Sequence, residues 1–184
     1  MATCRDIITR ALQQARIIAL GRTPSDKEAE AGLVALQGIY DGWFANGMFG
    51  TLKDVDATGT YDANEGERIT GASTVNKPSL VDDGCSPTGK RPPYELSAIV
   101  DVDAGANWLW SNGAWVNCSG LALGDDAPLS ERDREGLSSY LAIYLAEGFG
   151  QSVGPMTAQR GLKFVGGVSH KFCSTQASRT AEFF

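Results

Sequence analysis

Thr23-Pro24-Ser25-Asp26-Lys27-Glu28 decides the reading of this chain, because it sets a helix start between two stretches of helical apolar period. Ser25 and Glu28 have the spacing of a capping box, in which each side chain satisfies an amide left without a partner in the first turn. Pro24 suits the same turn. A helix is therefore predicted from this point, with Ala29, Leu33, Leu36, Ile39, Tyr40 and Trp43 on one stripe and an end near Gly47 or Gly50. Upstream, Ile8, Leu12, Ala15, Ile18 and Ala19 recur at three-and-four spacing through residues 3 to 20, with Thr3 as N-cap and Gly21 as stop. The short link makes residues 1–50 an expected antiparallel helical hairpin.

Downstream the texture changes. From residue 51 to 128 glycines and prolines recur and short β-branched or aromatic runs replace the helical period, so a β-rich insertion is predicted. Its candidate strands are Arg68 to Thr70, Tyr94 to Val102 and Ala106 to Cys118. The last folds back on itself, because Ser111-Asn112-Gly113-Ala114 puts Asn-Gly where a type I′ turn needs two residues with positive φ. That register sets Trp110 opposite Trp115, with Trp108 one step along the same face and Leu109 opposite Val116 on the other.

Helices resume after Pro128. Ser130 with Asp133 is the expected capping pattern, Glu131 and Asp133 suit the positive helix start, and Leu137, Leu141, Tyr144 and Leu145 form the stripe. Gly148 and Gly150 end this helix, and Pro155 opens a fourth with apolar positions Met156, Leu162, Val165, Val168 and Phe172, weakened in its middle by Gly166-Gly167. Residues 129–173 are thus a second helical pair. Residues 174–184 are an arm that is polar until Phe183-Phe184. The predicted fold class is mainly α: an antiparallel bundle of about four helices with a β-rich insertion bearing the tryptophan hairpin.

Composition narrows the function. The 184 residues suit one domain with a large insertion, and 42% hydrophobic with 21% charged residues excludes disordered, collagenous and coiled-coil classes. The net charge is −6 and no Lys/Arg run is present, which argues against tight, sequence-specific nucleic-acid binding. Charge is uneven: residues 1–50 hold five basic and five acidic side chains, residues 51–128 five and twelve, and residues 129–184 six and five. The insertion carries the acidity, either as a soluble face or as a surface with its own job. The start has one positive charge, an early acid and no unbroken apolar stretch, so a cytosol-like compartment is expected, and no stretch approaches a membrane span. Cys4, Cys85, Cys118 and Cys173 are too far apart for a close Cys-x-x-Cys zinc pattern and read as free thiols. Asn117-Cys118-Ser119 matches a glycosylation sequon, by chance on this reading.

Catalytic constellations are sparse. His170 is the one histidine, too few for a multi-histidine metal site, and reads as a helix-end or interface residue. Asp101 and Asp103 straddle Val102 and would share one side of a strand, as paired acids do in some glycosidases, yet Ala104-Gly105 beside them points to solvated loop acids. Asp82-Asp83 and Asp125-Asp126 lack the alternating oxygen ligands of a calcium loop. Gly84 to Arg91 contains Gly-Lys, but Arg91 stands where a phosphate loop needs Ser or Thr, and Pro92-Pro93 blocks the helix that must follow. No catalytic residue, metal or cofactor is expected.

Two stretches carry a resemblance. Arg5-Asp6-Ile7-Ile8-Thr9-Arg10-Ala11-Leu12 through Gly21-Arg22-Thr23-Pro24-Ser25 to Leu33, Leu36 and Tyr40-Asp41-Gly42-Trp43 resembles the start of tailed-bacteriophage head-to-tail adaptor proteins, also called head-completion or tail accessory connectors. Asp126-Ala127-Pro128-Leu129-Ser130 with Gly136-Leu137, Leu141-Ala142 and Leu145-Ala146-Glu147-Gly148-Phe149-Gly150 looks like the family's returning helix after its variable insertion. Together they span roughly half of the chain, and the insertion departs most from the family.

The resemblance implies a structural virion protein of the neck, made in the host cytoplasm. It implies a homo-oligomeric ring, dodecameric in the family's usual arrangement, bound under the portal protein and offering a platform to the tail or a second connector. Double-stranded DNA would pass through without sequence-specific binding, and an acidic lumen would keep the passage from sticking. Ring subunits need complementary side surfaces that do not close in a dimer, which the unequal charge of frame and insertion could supply. The family's C-terminal arm onto the portal implies portal contacts at Arg179, Glu182, Phe183 and Phe184, with aromatic anchors ordering on binding. Trp108, Trp110 and Trp115 are a possible interface or ligand face. The alternative from another class is therefore a carbohydrate- or receptor-binding tail module that stacks sugars on these indoles, with a glycan-cleaving enzyme using Asp101 and Asp103 behind it.

Overall fold

The computed structural model describes residues 2–51, 68–69, 96–101, 106–112, 114–129 and 131–173. In chain order these form α1 (Cys4–Gln14), α2 (Asp26–Ala45), β1 (Gly50–Thr51), β2 (Arg68–Ile69), β3 (Ser97–Asp101), β4 (Ala106–Ser111), β5 (Ala114–Asn117), a 3-10 turn (Glu131–Asp133), α3 (Arg134–Gly148) and α4 (Pro155–Cys173). The described structure is mainly helical, with a small sheet between the second and third helices.

Local chemistry fixes the helix starts. Thr3 caps α1: its Oγ1 accepts from the Asp6 amide at 3.2 Å, and Asp6 Oδ2 accepts from the Thr3 amide at 3.0 Å. That backbone bond holds the Asp6 carboxyl below the usual carboxylate range. Ser25 caps α2 in the same reciprocal way, with the Ser25 amide donating to Glu28 Oε2 at 2.7 Å and the Glu28 amide donating to Ser25 Oγ at 3.4 Å. Arg22 adds an ion pair to Glu28 at 3.0 Å.

Three expectations are corrected. α1 does not run to residue 20: it ends at Gln14, Arg16 adopts φ +60°, and the amides of Ile17 and Ile18 both donate to the Leu12 carbonyl. This left-handed turn folds Ile18 into the core and leaves Ala19 and Leu20 exposed. α3 follows the 3-10 turn and starts at Arg134, with Asp133 at its N-cap position making no side-chain cap bond; Ser130 lies outside the described residues. On α3 and α4, Tyr144, Met156 and Leu162 leave the predicted stripes, being 51%, 70% and 64% exposed. The inward side of α4 is instead Gly161 and Val168, buried, with Phe164 and Val165 half-buried. Met156 and Leu162 fall about 100° or more away from it, on the two flanks of the helix. α4 continues unbroken through Gly166-Gly167; the Phe172 side chain lies outside the described residues.

α3 is the central helix, packed against α1, α2 and α4. Leu137, Leu141 and Leu145 face the core, and the buried Ser138 and Ser139 hydroxyls donate back to the Arg134 and Glu135 carbonyls at 2.9 and 2.7 Å. Trp43 joins three helices. Its ring stacks on Tyr140 of α3 at 5.9 Å and 20°, meets Phe164 of α4 at 5.9 Å, and takes Tyr40 and Phe49 edge-on at 5.5 and 5.7 Å.

The sheet has the order β1-β3-β4-β5, with β2 also on β3. β1 and β2 pair with β3 in parallel, while β3 with β4 and β4 with β5 are antiparallel. The hairpin has the register read from Asn-Gly: Leu109 lies opposite Val116, Trp110 opposite Trp115, and Asn112 has φ +51°. Of the predicted strand ends, Thr70, Tyr94 and Val102 lie outside the described residues.

Candidate functional site

The tryptophan hairpin is the most distinctive surface. Alternation along β4 and β5 puts Trp110 and Trp115 on one face as a directly opposed pair, with ring centres 5.4 Å apart and planes at 75°, an edge-to-face contact. Trp115 is only 5% exposed, whereas Trp108 and Trp110 are half-buried. Trp115 Nε1 is buried without a hydrogen-bond partner. Stacking on a sugar needs an open indole face, and the hairpin offers two partial ones rather than three.

One side chain that sequence reasoning missed positions this hairpin. Gln37 of α2 accepts from the amides of Gly120 and Leu121 at 3.2 and 2.9 Å and donates to the Cys118 carbonyl at 2.7 Å. It thereby latches the end of β5 to the helices. Only the contacts reveal it, since nothing in Leu36-Gln37-Gly38 marks a latch. The following segment is then sewn to the start of the chain: Cys4 and Arg5 amides donate to the Asp125 and Leu123 carbonyls at 2.8 and 3.0 Å, the Ala127 amide donates to the Ala2 carbonyl at 2.9 Å, and Thr3 bridges Asp126. These bonds occupy amides that the first turn of α1 would otherwise leave open.

A second unread feature is Glu135, in the first turn of α3. Its carboxylate accepts from Arg10 and Gln14 of α1 and from Arg160 of α4, at 3.2, 3.2 and 3.3 Å. All three charged groups are substantially exposed, so the cluster orients three helices more than it stabilises them.

Beneath the seam lie two free, buried thiols, Cys4 and Cys118, and the Tyr40 hydroxyl, which is buried with no hydrogen-bond partner. Burial, reinforced by Asp125 and Asp126, pushes the Cys4 thiol from 9.0 up to about 12, and burial also raises Cys118 and Tyr40 well above their ordinary values. Such thiols are inert toward alkylation. In the unfolded chain each ionises near 9.0, so above that pH the unfolded state binds fewer protons and stability falls, by about 1.4 kcal/mol per pH unit for each group. Denaturant midpoints measured between pH 7 and 11 are expected to be level up to about pH 9 and then drop steeply; a flat profile through pH 11 would contradict the burial of these groups.

Most of the other residues singled out by sequence have side chains outside the described residues. Asp101 ends β3 and His170 lies in the last turns of α4, with side chains outside the described residues, while Asp103, Cys85, the Gly84 to Arg91 stretch, Arg179, Glu182, Phe183 and Phe184 all lie outside the described residues. Among the described residues no three His, Cys, Asp or Glu side chains converge as a metal cage, and no helix is long and apolar enough to cross a membrane. Comparison with protein-family models and with curated proteins finds no match to this chain.

Proposed function

We propose that this chain is a head-to-tail adaptor of a tailed bacteriophage, a structural protein that acts without catalysis. On this reading it forms a ring under the portal, twelve copies in the usual arrangement of the family it resembles, joins head to tail and leaves a channel for the genome. Its four helices would form the antiparallel bundle of each ring segment, and the sheet-bearing insertion would supply the variable contacts.

The observation that carries this reading is the seam between residues 118–129 and the first two helices. An adaptor must return its chain from a variable insertion to a fixed frame, and here the Gln37 latch and the Cys4 and Arg5 amides fasten that return directly before α3. The imbalance of charge supports it as well, with five basic and twelve acidic residues in 51–128 beside a nearly neutral frame. A carbohydrate-binding role for Trp108, Trp110 and Trp115 has less support, because Trp115 is buried.

The arm supplies the test. Deleting Phe183 and Phe184, or changing Arg179 and Glu182 to alanine, is expected to abolish co-sedimentation with the portal while far-ultraviolet circular dichroism and the denaturation midpoint stay unchanged. Attachment at wild-type level in the deletion would contradict the assignment of the arm.

A further inference from the structure

The sequence holds two Asn-Gly pairs, Asn46-Gly47 and Asn112-Gly113. Asparagine before glycine is the dipeptide most open to spontaneous loss of its side-chain amide, because glycine has no side chain to shield the peptide nitrogen that attacks. Both asparagines are exposed, and the structure holds them differently. Asn46 closes α2. Its backbone amide and its Nδ2 both donate to the Gly42 carbonyl, at 3.0 and 2.7 Å, and the Gly47 nitrogen, which would have to attack, donates to the Phe44 carbonyl at 3.1 Å. Attack at Asn46 therefore requires these bonds to break and the end of α2 to open. Asn112 stands instead at the hairpin tip with φ +51°. Its Nδ2 makes longer bonds, donating to Ser111 Oγ at 3.2 Å and to the Leu129 carbonyl at 3.4 Å. Leu129 is buried and lies shortly before the 3-10 turn that leads into α3, so the second bond ties the tip of the sheet to the helical frame.

We infer that Asn112 is a site of spontaneous deamidation, and that its conversion to a carboxylate releases the hairpin tip from the frame. The nitrogen of the peptide bond after Asn112 attacks the side-chain carbon Cγ. A C–N bond forms, the Cγ–Nδ2 bond breaks, and the proton of the attacking nitrogen leaves with the amide group as ammonia. Water then opens the cyclic imide at either carbonyl, giving aspartate or an isoaspartyl link that adds a methylene to the backbone. Solvent water is the only co-reactant. An ionised carboxylate has no hydrogen to give, so it would face the Leu129 carbonyl oxygen with a repulsion where the amide now makes a bond. The isoaspartyl product also lengthens a turn whose register depends on two residues. The change runs one way and depends on the age of the folded chain, independently of the ring reading.

Peptide mapping by mass spectrometry tests this on the full chain aged in warm, mildly alkaline buffer, with the same chain in urea as reference. In urea the two Asn-Gly pairs should convert at similar rates. In the folded chain Asn46 should convert about tenfold or more slowly than Asn112, a barrier difference of about 1.4 kcal/mol or more. Equal rates at the two sites in the folded chain, or conversion at Asn112 only after unfolding, would overturn the assignment. Asn112→Gly, which accepts positive φ, should keep the hairpin and abolish the mass change there. Release is read by hydrogen exchange: aged wild type and Asn112→Asp should both exchange their β4 and β5 amides faster than fresh wild type. Exchange unchanged in both would overturn the release of the tip.

Discussion

Trp43→Ala is expected to destabilise the protein by about 3–5 kcal/mol, the usual cost of truncating a buried tryptophan. Trp43 is 4% exposed, and four rings from α2, the residues after it, α3 and α4 close around it. Alanine leaves a cavity that none of these can fill, because each is held by its own helix or by the chain just beyond α2. A domain of this size is stable by about 5–15 kcal/mol, so the loss is a large share of the total. In a denaturant titration the midpoint should fall with an unchanged slope, and Trp43→Phe should recover much of it. A shift under about 1 kcal/mol for Trp43→Ala would mean that the aromatic cluster is not the joint between α2, α3 and α4.

The second large effect separates two glycines on one helix. At Gly32 a Cβ would collide with Ile8 Cγ2 and lie 3.3 and 3.4 Å from Ile8 Cγ1 and Cβ; at Gly38 nothing stands within 4 Å. Replacing glycine by alanine inside a helix ordinarily stabilises by about 1 kcal/mol. Gly38→Ala should show that gain. Gly32→Ala should instead lose about 1–3 kcal/mol, because Ile8 is fully buried and cannot yield. The Ile8→Ala/Gly32→Ala pair should be more stable than the sum of the singles predicts, since removing both γ carbons makes room for the new methyl. Gains of equal size at both positions would show that α1 and α2 are not in close approach there.

What could be read in advance follows the range of the interaction. The Thr3 N-cap and the Ser25–Glu28 capping box are legible because a helix start is set within four residues, although the reciprocal bond from Asp6 at Thr3 emerges only in the structure; the hairpin register is legible because Asn-Gly dictates which residues face each other. The end of α1 was not, since nothing local requires Arg16 to turn left-handed when Gly21 stands five residues on. Tyr144, Met156 and Leu162 leave the stripes because apolar identity does not by itself decide burial, while the inward centre of α4 is a glycine that carries no hydrophobic signal. Gln37, Glu135 and the seam at residues 118–129 depend on partners more than 80 positions away for Gln37 and more than 120 for Arg10 and Glu135, beyond any local pattern. Among the candidate site residues the tryptophans were placed correctly on their strands, but the burial of Trp115 was a tertiary fact.

The proposed role is that of a ring that meets the portal. Light scattering after size exclusion, with negative-stain images of the same peak, measures it directly on the purified chain alone and after mixing with its cognate portal. A ring is expected in at least one of the two samples. A lone 19.5 kDa monomer in both, indifferent to portal, would contradict it.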